Sequence, residues 1–213
     1  MTADNNEPTT YHQIPGASWK KVATQEARKA YDVMAVTRGS IGLEDLFGVE
    51  PEHFLIHRGD LHLVGPQRFR HVPDRDNRTI FVVDGSLTVD GALALDNSDA
   101  YTPLWVRGSL TATELVLACD ACLFVEGQLE VKGVLVTDLS DAGHLVVHGA
   151  TAAKAWIKSG GRGCVELGGK PQARIIGDGG DAMDQALRPD VFHGGDRFTE
   201  LRDALLAGAP VLK

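Results

Sequence analysis

A nine-residue pattern recurs along the middle of this 213-residue chain. Each copy alternates apolar and polar residues around a central glycine, most clearly in Phe81–Val89, Leu104–Ala112 and Leu123–Val131. Leu145–Ala153 repeats the pattern more loosely, and fainter copies surround Gly59 and Gly169. A self-similarity of this period indicates that one structural unit is stacked several times.

The alternation within each copy has the two-residue period of a strand with one buried face. Aligning the copies on the glycine places like residues in the same column, which stacked coils require because each rung covers the next. The predicted buried columns are Phe81, Leu104, Leu123, Leu145; Val83, Val106, Val125, Val147; Leu87, Leu110, Leu129, Thr151; and Leu93, Val116, Leu135, Ile157.

These columns predict an all-β protein, a parallel β-solenoid (β-helix) of about six coils over residues 55–177. Glycine suits the corners of the coils, where the backbone bends with little room for a side chain. An antiparallel sandwich or barrel would also show alternation. However, a sandwich or barrel rarely has the same residue type at the same position of successive strands, as this sequence does.

The flanking segments predict short helical caps at both ends. Residues 1–54 form a lead-in with a helix expected over Thr24–Thr37, a further turn at Leu43–Phe47, and Thr24 as N-cap. Residues 178–213 form a loop and a helix at Asp196–Leu206. Such caps would cover the open strand edges, although a helix that docks a separate partner would give the same pattern.

The copies Phe81–Val89, Leu104–Ala112 and Leu123–Val131 resemble the bactofilin-like, polymer-forming β-solenoid proteins of bacteria. The resemblance implies a hydrophobic-cored solenoid without a cofactor or active site, able to join end to end. The predicted caps depart from that pattern and favour a discrete unit over a filament.

Composition narrows the classes of function. The formal charge of −8 argues against nucleic acid as a ligand. The polar N-terminus has no apolar signal region and no run suits a membrane span, so we expect a cytoplasmic protein without a membrane partner. An odd number of cysteines, Cys119, Cys122 and Cys164, predicts reduced thiols.

An apolar column is predicted on the outer side of one sheet, three residues before each glycine. It consists of Val82, Trp105, Phe124 and Val146. An exposed aromatic column is typical of a protein-binding surface. The alternative is that the N-terminal helix or its lead-in lies over these residues.

A second outward column, one residue before each glycine, alternates in charge from rung to rung. It consists of Asp84, Arg107, Glu126 and His148. Neighbours about 5 Å apart would attract, which favours a structural ladder and adds these residues to the candidate protein-binding surface. Asp84 and Glu126, two rungs apart, also have nearly the separation of inverting glycosidase carboxylates. Arg107 between them would be expected to lower the pKa of both carboxyl groups, whereas a general acid needs a raised pKa.

The remaining motifs give no metal or catalytic assignment. Cys119-Asp-Ala-Cys122 has the spacing of a zinc or redox pair, but only Cys164 and His144 could complete a zinc site, so small residues filling a tight corner are the favoured explanation. The histidines His53, His57 and His62 suit hydrogen-bonded positions at the rim. The Gly177–Asp181 stretch is too short for a calcium loop and predicts a flexible exit from the last coil.

The sequence therefore predicts a non-catalytic protein-binding solenoid with no cofactor. One concrete form is an immunity or antitoxin protein that neutralises a basic toxin through an acidic surface. A bactofilin-like scaffold that self-associates is the alternative, and a carbohydrate-active β-helix enzyme is the third hypothesis.

Overall fold

The computed structural model describes residue 14 and residues 16–39, 51–69, 78–97 and 103–213. Two seven-stranded sheets face each other in this part of the chain. Sheet A contains, in spatial order, β1 (Lys20–Ala23), β2 (His53–Arg58), β5 (Thr79–Asp84), β7 (Leu104–Val106), β9 (Cys122–Val125), β11 (His144–Val147) and β13 (Cys164–Leu167). Sheet B contains, from the opposite end, β14 (Gln172–Gly177), β12 (Thr151–Lys158), β10 (Leu129–Leu139), β8 (Leu110–Cys119), β6 (Leu87–Asn97) and β3 (Leu61–Val64), with β4 (Gln67–Phe69) also paired to β6.

All strand pairs except β1 with β2 are parallel, and the chain alternates between the sheets. This arrangement is a parallel β-solenoid of about five turns, close to the six coils predicted. The repeat explains why neighbouring strands within each sheet are parallel. Each coil of the chain returns to the same position one strand spacing further along the solenoid, so equivalent strands run in the same direction.

Three of the four predicted buried columns are confirmed by the register. Phe81 pairs with Leu104, Leu104 with Leu123, and Leu123 with Leu145. The valine column and the column beginning at Leu87 are paired in the same way. These side chains are buried in one continuous core between the sheets.

The fourth predicted column is wrong in two copies. Leu93 pairs with Leu115, and Leu135 with Trp156, so Val116 and Ile157 face outward instead. The cause is a register shift: β6 and β10 carry one more residue before this column than β8 and β12 do. The longer copies are those with a second glycine, Gly91 and Gly133, which the alignment treated as equivalent to copies without it.

The Glu114 side chain fills the space left by the shorter copy. Its carboxylate accepts a hydrogen bond from the backbone N–H of Val134 and lies where a side chain at Gly133 would have to go. Burial raises the pKa of Glu114, while the Val134 N–H and the charge of Lys154 act in the opposite direction. The register shift is therefore hydrogen-bonded rather than left with an unpaired buried donor.

The N-terminal segment differs from the predicted single helix over Thr24–Thr37. It forms β1 and two one-turn helices, α1 (Thr24–Ala27) and α2 (Val33–Val36). Thr24 is not the N-cap: its hydroxyl donates to the carbonyl of Pro51, whereas Asp32 accepts from the N–H of Ala35 and caps α2. The turn predicted at Leu43–Phe47 lies outside the described residues.

The C-terminal segment contains the predicted helix and one that was not predicted. Helix α4 (Arg197–Leu206) begins at Asp196, whose carboxylate accepts from the N–H of Thr199, and ends near Gly208 with φ of 71°. Helix α3 (Gly180–Ala186) replaces the flexible exit expected at Gly177–Asp181, and a 3₁₀ turn (Pro189–Val191) joins the two helices.

The two flanks cover sheet faces more than strand edges. The N-terminal helices lie on the outer face of sheet A, and the C-terminal helices lie on the outer side of sheet B, where Val116, Val136 and Ile157 are buried beneath them. Arg202 of α4 holds Asp96 of β6 at 2.7 Å. At the first rung, β1 pairs with the edge strand β2, so this edge of sheet A is capped by a strand, whereas the sequence predicted a helical cap.

Stacked glycines at one corner are expected to be sensitive to added side-chain volume. A Cβ built on Gly127 would lie 2.6 Å from the carbonyl oxygen of Gly108 on the preceding rung. We expect Gly127→Ala to lower the free energy of unfolding by about 1–3 kcal/mol, measured by chemical denaturation.

Gly169 provides the matched control for this substitution. It occupies the corresponding place in the last copy, and a Cβ there would meet nothing within 4 Å. Gly169→Ala should change the stability by less than about 0.5 kcal/mol. Equal effects of the two substitutions would contradict close stacking at this corner.

Candidate functional site

The predicted outer apolar column is completely covered. Val82 is 0% exposed, Trp105 2%, Phe124 1% and Val146 0%. They form one cluster with Ala27, Tyr31, Val33 and Val36 of the N-terminal segment. Of the two possibilities, the structure shows the covered one, so this column is an inner layer and not a surface that a partner can reach.

Aromatic contacts, in addition to the burial of apolar surface, hold the N-terminal segment on sheet A. The Tyr31 ring stacks on Phe54 with 6.1 Å between ring centroids and meets Trp105 edge to face at 5.9 Å. Such pairs contribute beyond the burial of their area, at about 0.5–1.5 kcal/mol each. Tyr31 was not singled out in the sequence, because its helical spacing identified it only as a residue on an apolar helix face.

The charged column next to these residues forms a continuous ion-pair ladder. One Arg107 nitrogen, Nη1, lies 2.9 Å from Asp84 Oδ1, and another, Nε, lies 3.2 Å from Glu126 Oε1. Asp84 and Glu126 therefore sit on either side of the guanidinium, one rung away in each direction. In this order the three charges attract each other across neighbouring strands.

The ladder also ties the N-terminal segment to the solenoid. The Tyr31 hydroxyl donates to Asp84 Oδ2 at 2.9 Å, and the Arg107 guanidinium lies 5.4 Å from the Tyr31 ring centroid. His148, at the far end of the ladder, places Nε2 at 2.7 Å from the carbonyl oxygen of Val36. All four predicted ladder residues thus take part in structural contacts.

The ladder holds the Arg107 guanidinium in its charged form and the Tyr31 hydroxyl in its neutral form. Burial lowers the pKa of Arg107, but Glu126 and Asp84 outweigh this effect and the net pKa is raised. Burial and the hydrogen bond to Asp84 raise the pKa of Tyr31. Both carboxylates accept hydrogen bonds from the Arg107 guanidinium, Asp84 at 2.9 Å and Glu126 at 3.2 Å, so each already has a structural partner within the ladder.

A small cavity lies between the ladder and α2. Its volume is about 180 Å³, and Trp105, Arg107, Glu126 and His148 line it together with Asp32. The polar lining atoms of the ladder side already have hydrogen-bond partners within the protein. The cavity therefore presents few groups that could fix a ligand.

The cysteine pair behaves as packed thiols. Burial raises the pKa of Cys122 to about 12, and its thiol donates to the carbonyl of Ala142 at 3.5 Å. Burial also raises the pKa of Cys119 and of Cys164. A reactive cysteine needs a lowered pKa, so none of these thiols is activated as a nucleophile at neutral pH.

The register places His144 between Cys122 and Cys164 on successive strands. This is the combination that the sequence considered for zinc. The described residues contain no group of three histidine, cysteine, aspartate or glutamate side chains arranged to hold a metal ion. Burial lowers the pKa of His144, whose side chain is half-buried within the sheet.

The histidines of the first coil are hydrogen-bonded. His57 Nδ1 accepts from the N–H of Ser18 at 3.0 Å, and His53 Nε2 lies 3.1 Å from the Thr79 hydroxyl. His62 Nε2 lies 2.6 Å from Asp90 on the neighbouring strand. The acidic stretch after the last coil is also structural, because Asp178 accepts from the N–H of Gly160.

A larger cavity, of about 400 Å³, lies in the C-terminal segment and was not anticipated. Among its lining residues, Arg188 makes two hydrogen bonds to Asp190, and Glu200 accepts from the N–H groups of His193 and Gly195. These lining groups therefore already have hydrogen-bond partners within the protein. No sequence motif marked this cavity, since it forms between a turn and a helix that are not part of the repeat.

Removing the central charge of the ladder should weaken the attachment of the N-terminal segment. Arg107→Met keeps most of the side-chain volume but leaves Asp84 and Glu126 without their cation. We expect the free energy of unfolding to fall by about 1–2 kcal/mol at low salt. The difference from wild type should be smaller at high salt, because the guanidinium is partly exposed and its ion pairs are screened. Limited proteolysis should also cut the N-terminal segment faster.

An exposed pair of the same kind gives the control. Arg162 and Asp141 form an ion pair in which the arginine side chain is 84% exposed. Arg162→Met should cost less than about 0.5 kcal/mol and leave the proteolysis of the N-terminal segment unchanged. An Arg107→Met protein as stable as wild type at low salt would contradict the assigned role of the ladder.

Comparison with known proteins adds no identification. No protein-family model matches the chain, and neither the curated proteins nor the solved structures give a match. The resemblance of the repeat to bactofilin-like proteins therefore stays a prediction from three copies of a short motif.

Proposed function

We propose that this protein is a non-catalytic, cytoplasmic protein-binding solenoid of the immunity or antitoxin type. The observation that carries the proposal is the use of the candidate catalytic groups in structural contacts. Asp84, Arg107 and Glu126 are joined in one ladder under the N-terminal segment. A rigid scaffold without an assembled nucleophile, base and oxyanion site is better suited to presenting a surface.

The binding surface is the part of sheet B that the flanking segments leave uncovered. We call it the uncovered strip; it comprises residues 61–64, 87–90, 110–112, 129–132 and 151–154. Val64, in its first strand, is 79% exposed, and Glu130 and Lys154 are also exposed. The strip extends over five consecutive strands, so its side chains have fixed spacing and little conformational freedom to lose on binding.

The charge of the chain favours a basic partner. The formal net charge is −8, and several of its arginines are already paired with carboxylates of the same molecule, among them Arg68, Arg188 and Arg197. An acidic excess accelerates association with a basic protein and disfavours like-charged competitors. In an immunity role, the solenoid would cover the functional surface of a basic toxin.

No membrane-spanning candidate was found among the helices of the described residues. The bactofilin-like scaffold remains the alternative function. A head-to-tail filament needs two compatible ends, and the pairing of β1 with β2 occupies the strand edge at the first rung. The carbohydrate-active hypothesis has the least support, because Arg107 lies between the two carboxylates that it requires.

Affinity capture with the purified protein, followed by identification of the captured protein and a growth assay, tests the proposal. We expect a basic protein whose expression stops growth unless this chain is present. Glu130→Lys should weaken binding of that purified protein at least tenfold and reduce the protection, with the loss largest at low salt.

Lys154→Glu, on the neighbouring strand of the uncovered strip, is the matched control. It adds negative charge and should leave the affinity unchanged or increase it. A captured protein that is acidic, or that does not harm cells, would overturn the immunity assignment. Equal effects of Glu130→Lys and Lys154→Glu would overturn the uncovered strip as the binding surface.

A further inference from the structure

The last rung of the solenoid is open in both sheets, whereas at the first rung β1 pairs with the edge of sheet A and only sheet B, at β3 and β4, has no further partner among the described residues. β13 ends sheet A and β14 ends sheet B, and no described residue pairs with their free edges. All four residues of β13 are only half-buried, whereas β9 and most of β11 are buried. Two adjacent strand edges are therefore available for hydrogen bonding.

The hydrophobic core reaches solvent between these two edges. Val165, Leu167 and Ala173 pack against the core but are only partly buried. Ile175 pairs with Trp156 in register and is 59% exposed, while Trp156 is 4% exposed. Most core residues of the preceding rung are thus fully buried. Those of the last rung are partly exposed, because no further rung covers them.

At the opposite end, the chain itself covers the edge of sheet A and the end of the core. β1 pairs antiparallel with β2, and Ile14 and Trp19 are 1% and 3% exposed within the core. Trp19 packs edge to face on Phe81 with 5.3 Å between ring centroids. A second copy can therefore not stack its first rung onto the last rung of this one without displacing this segment.

The arrangement of the two strands in the open rung indicates which kind of partner could cover it. A single extended peptide could pair with one edge but would leave the apolar layer exposed. Covering the whole surface needs two strands on opposite sides of an apolar layer, at the roughly 10 Å spacing of packed sheets. The last rung of a second copy has this arrangement.

The charge of the open rung is also compatible with self-association. Residues 162–178 contain three basic side chains, Arg162, Lys170 and Arg174, and two acidic ones, Glu166 and Asp178. This segment is nearly neutral in a chain whose formal charge is −8. Two copies that meet at this rung therefore bring together segments of low net charge, and the repulsion between them is small.

We propose that two copies associate through their last rungs about a twofold axis. β13 and β14 of each protomer pair with strands of the other, and Ile175 becomes buried in a core that continues across both molecules. An isologous contact of this kind uses the same surface twice and closes, because both outer ends are then first rungs. The proposal is independent of the partner assigned to the uncovered strip.

Sedimentation velocity of the full chain over a range of concentrations tests this proposal. We expect a reversible monomer–dimer equilibrium for the wild type. Ile175→Lys should weaken the dimer at least tenfold. Met34→Lys, which alters a similarly exposed apolar residue of the N-terminal segment, should leave dimerisation unchanged.

Hydrogen–deuterium exchange provides a second readout that does not depend on a variant. The amides of residues 164–167 and 172–177 should become more protected as the wild-type concentration rises. A wild type that stays monomeric, a dimer that Ile175→Lys leaves intact, or polymers that keep growing would each overturn the proposal. A circular dichroism spectrum matching wild type confirms that Ile175→Lys is folded.

Discussion

Each rung of this solenoid can hide its apolar side chains only against the next rung. One coil has too little interior to cover its own face, so stability depends on like residues recurring at the same place about 4.8 Å apart. The valine column through Val83, Val106 and Val125 shows this constraint directly, since its members are paired strand to strand and fully buried. The parallel strand pairing, the stacked corners and the charge ladder all follow from the same repetition.

A stack of this kind has no natural end, and the flanking segments supply one. The N-terminal segment pairs with the first strand edge, inserts Trp19 into the core and covers the outer column of sheet A. The C-terminal helices cover part of the outer side of sheet B, and the edges of β13 and β14 in the last rung remain unpaired among the described residues. The two ends of the solenoid therefore differ: at the first rung β1 pairs with sheet A and Trp19 enters the core, whereas both strands of the last rung have an unpaired edge among the described residues.

The sequence predicted the features that depend on the repeat. The fold, three core columns and the rung-to-rung order of Asp84, Arg107 and Glu126 follow from aligning the copies, because side chains in a strand alternate strictly. The fourth column was misaligned because the extra residue at Gly91 and Gly133 changes the register locally. The covering of Trp105 and Phe124 was left open, since periodicity within a strand does not tell which distant segment packs on its outer face. The single helix expected over Thr24–Thr37 failed for a related reason: contacts with sheet A override weak helix propensity in so short a segment.

The central claim is that equivalent side chains lie directly above one another in successive rungs. Methyl–methyl nuclear Overhauser effects in a protein labelled at valine test it most directly. The account predicts cross-peaks between Val83 and Val106 and between Val106 and Val125, and none between Val83 and Val125, which lie two strand spacings apart. Absence of the first two cross-peaks in the folded protein would contradict it.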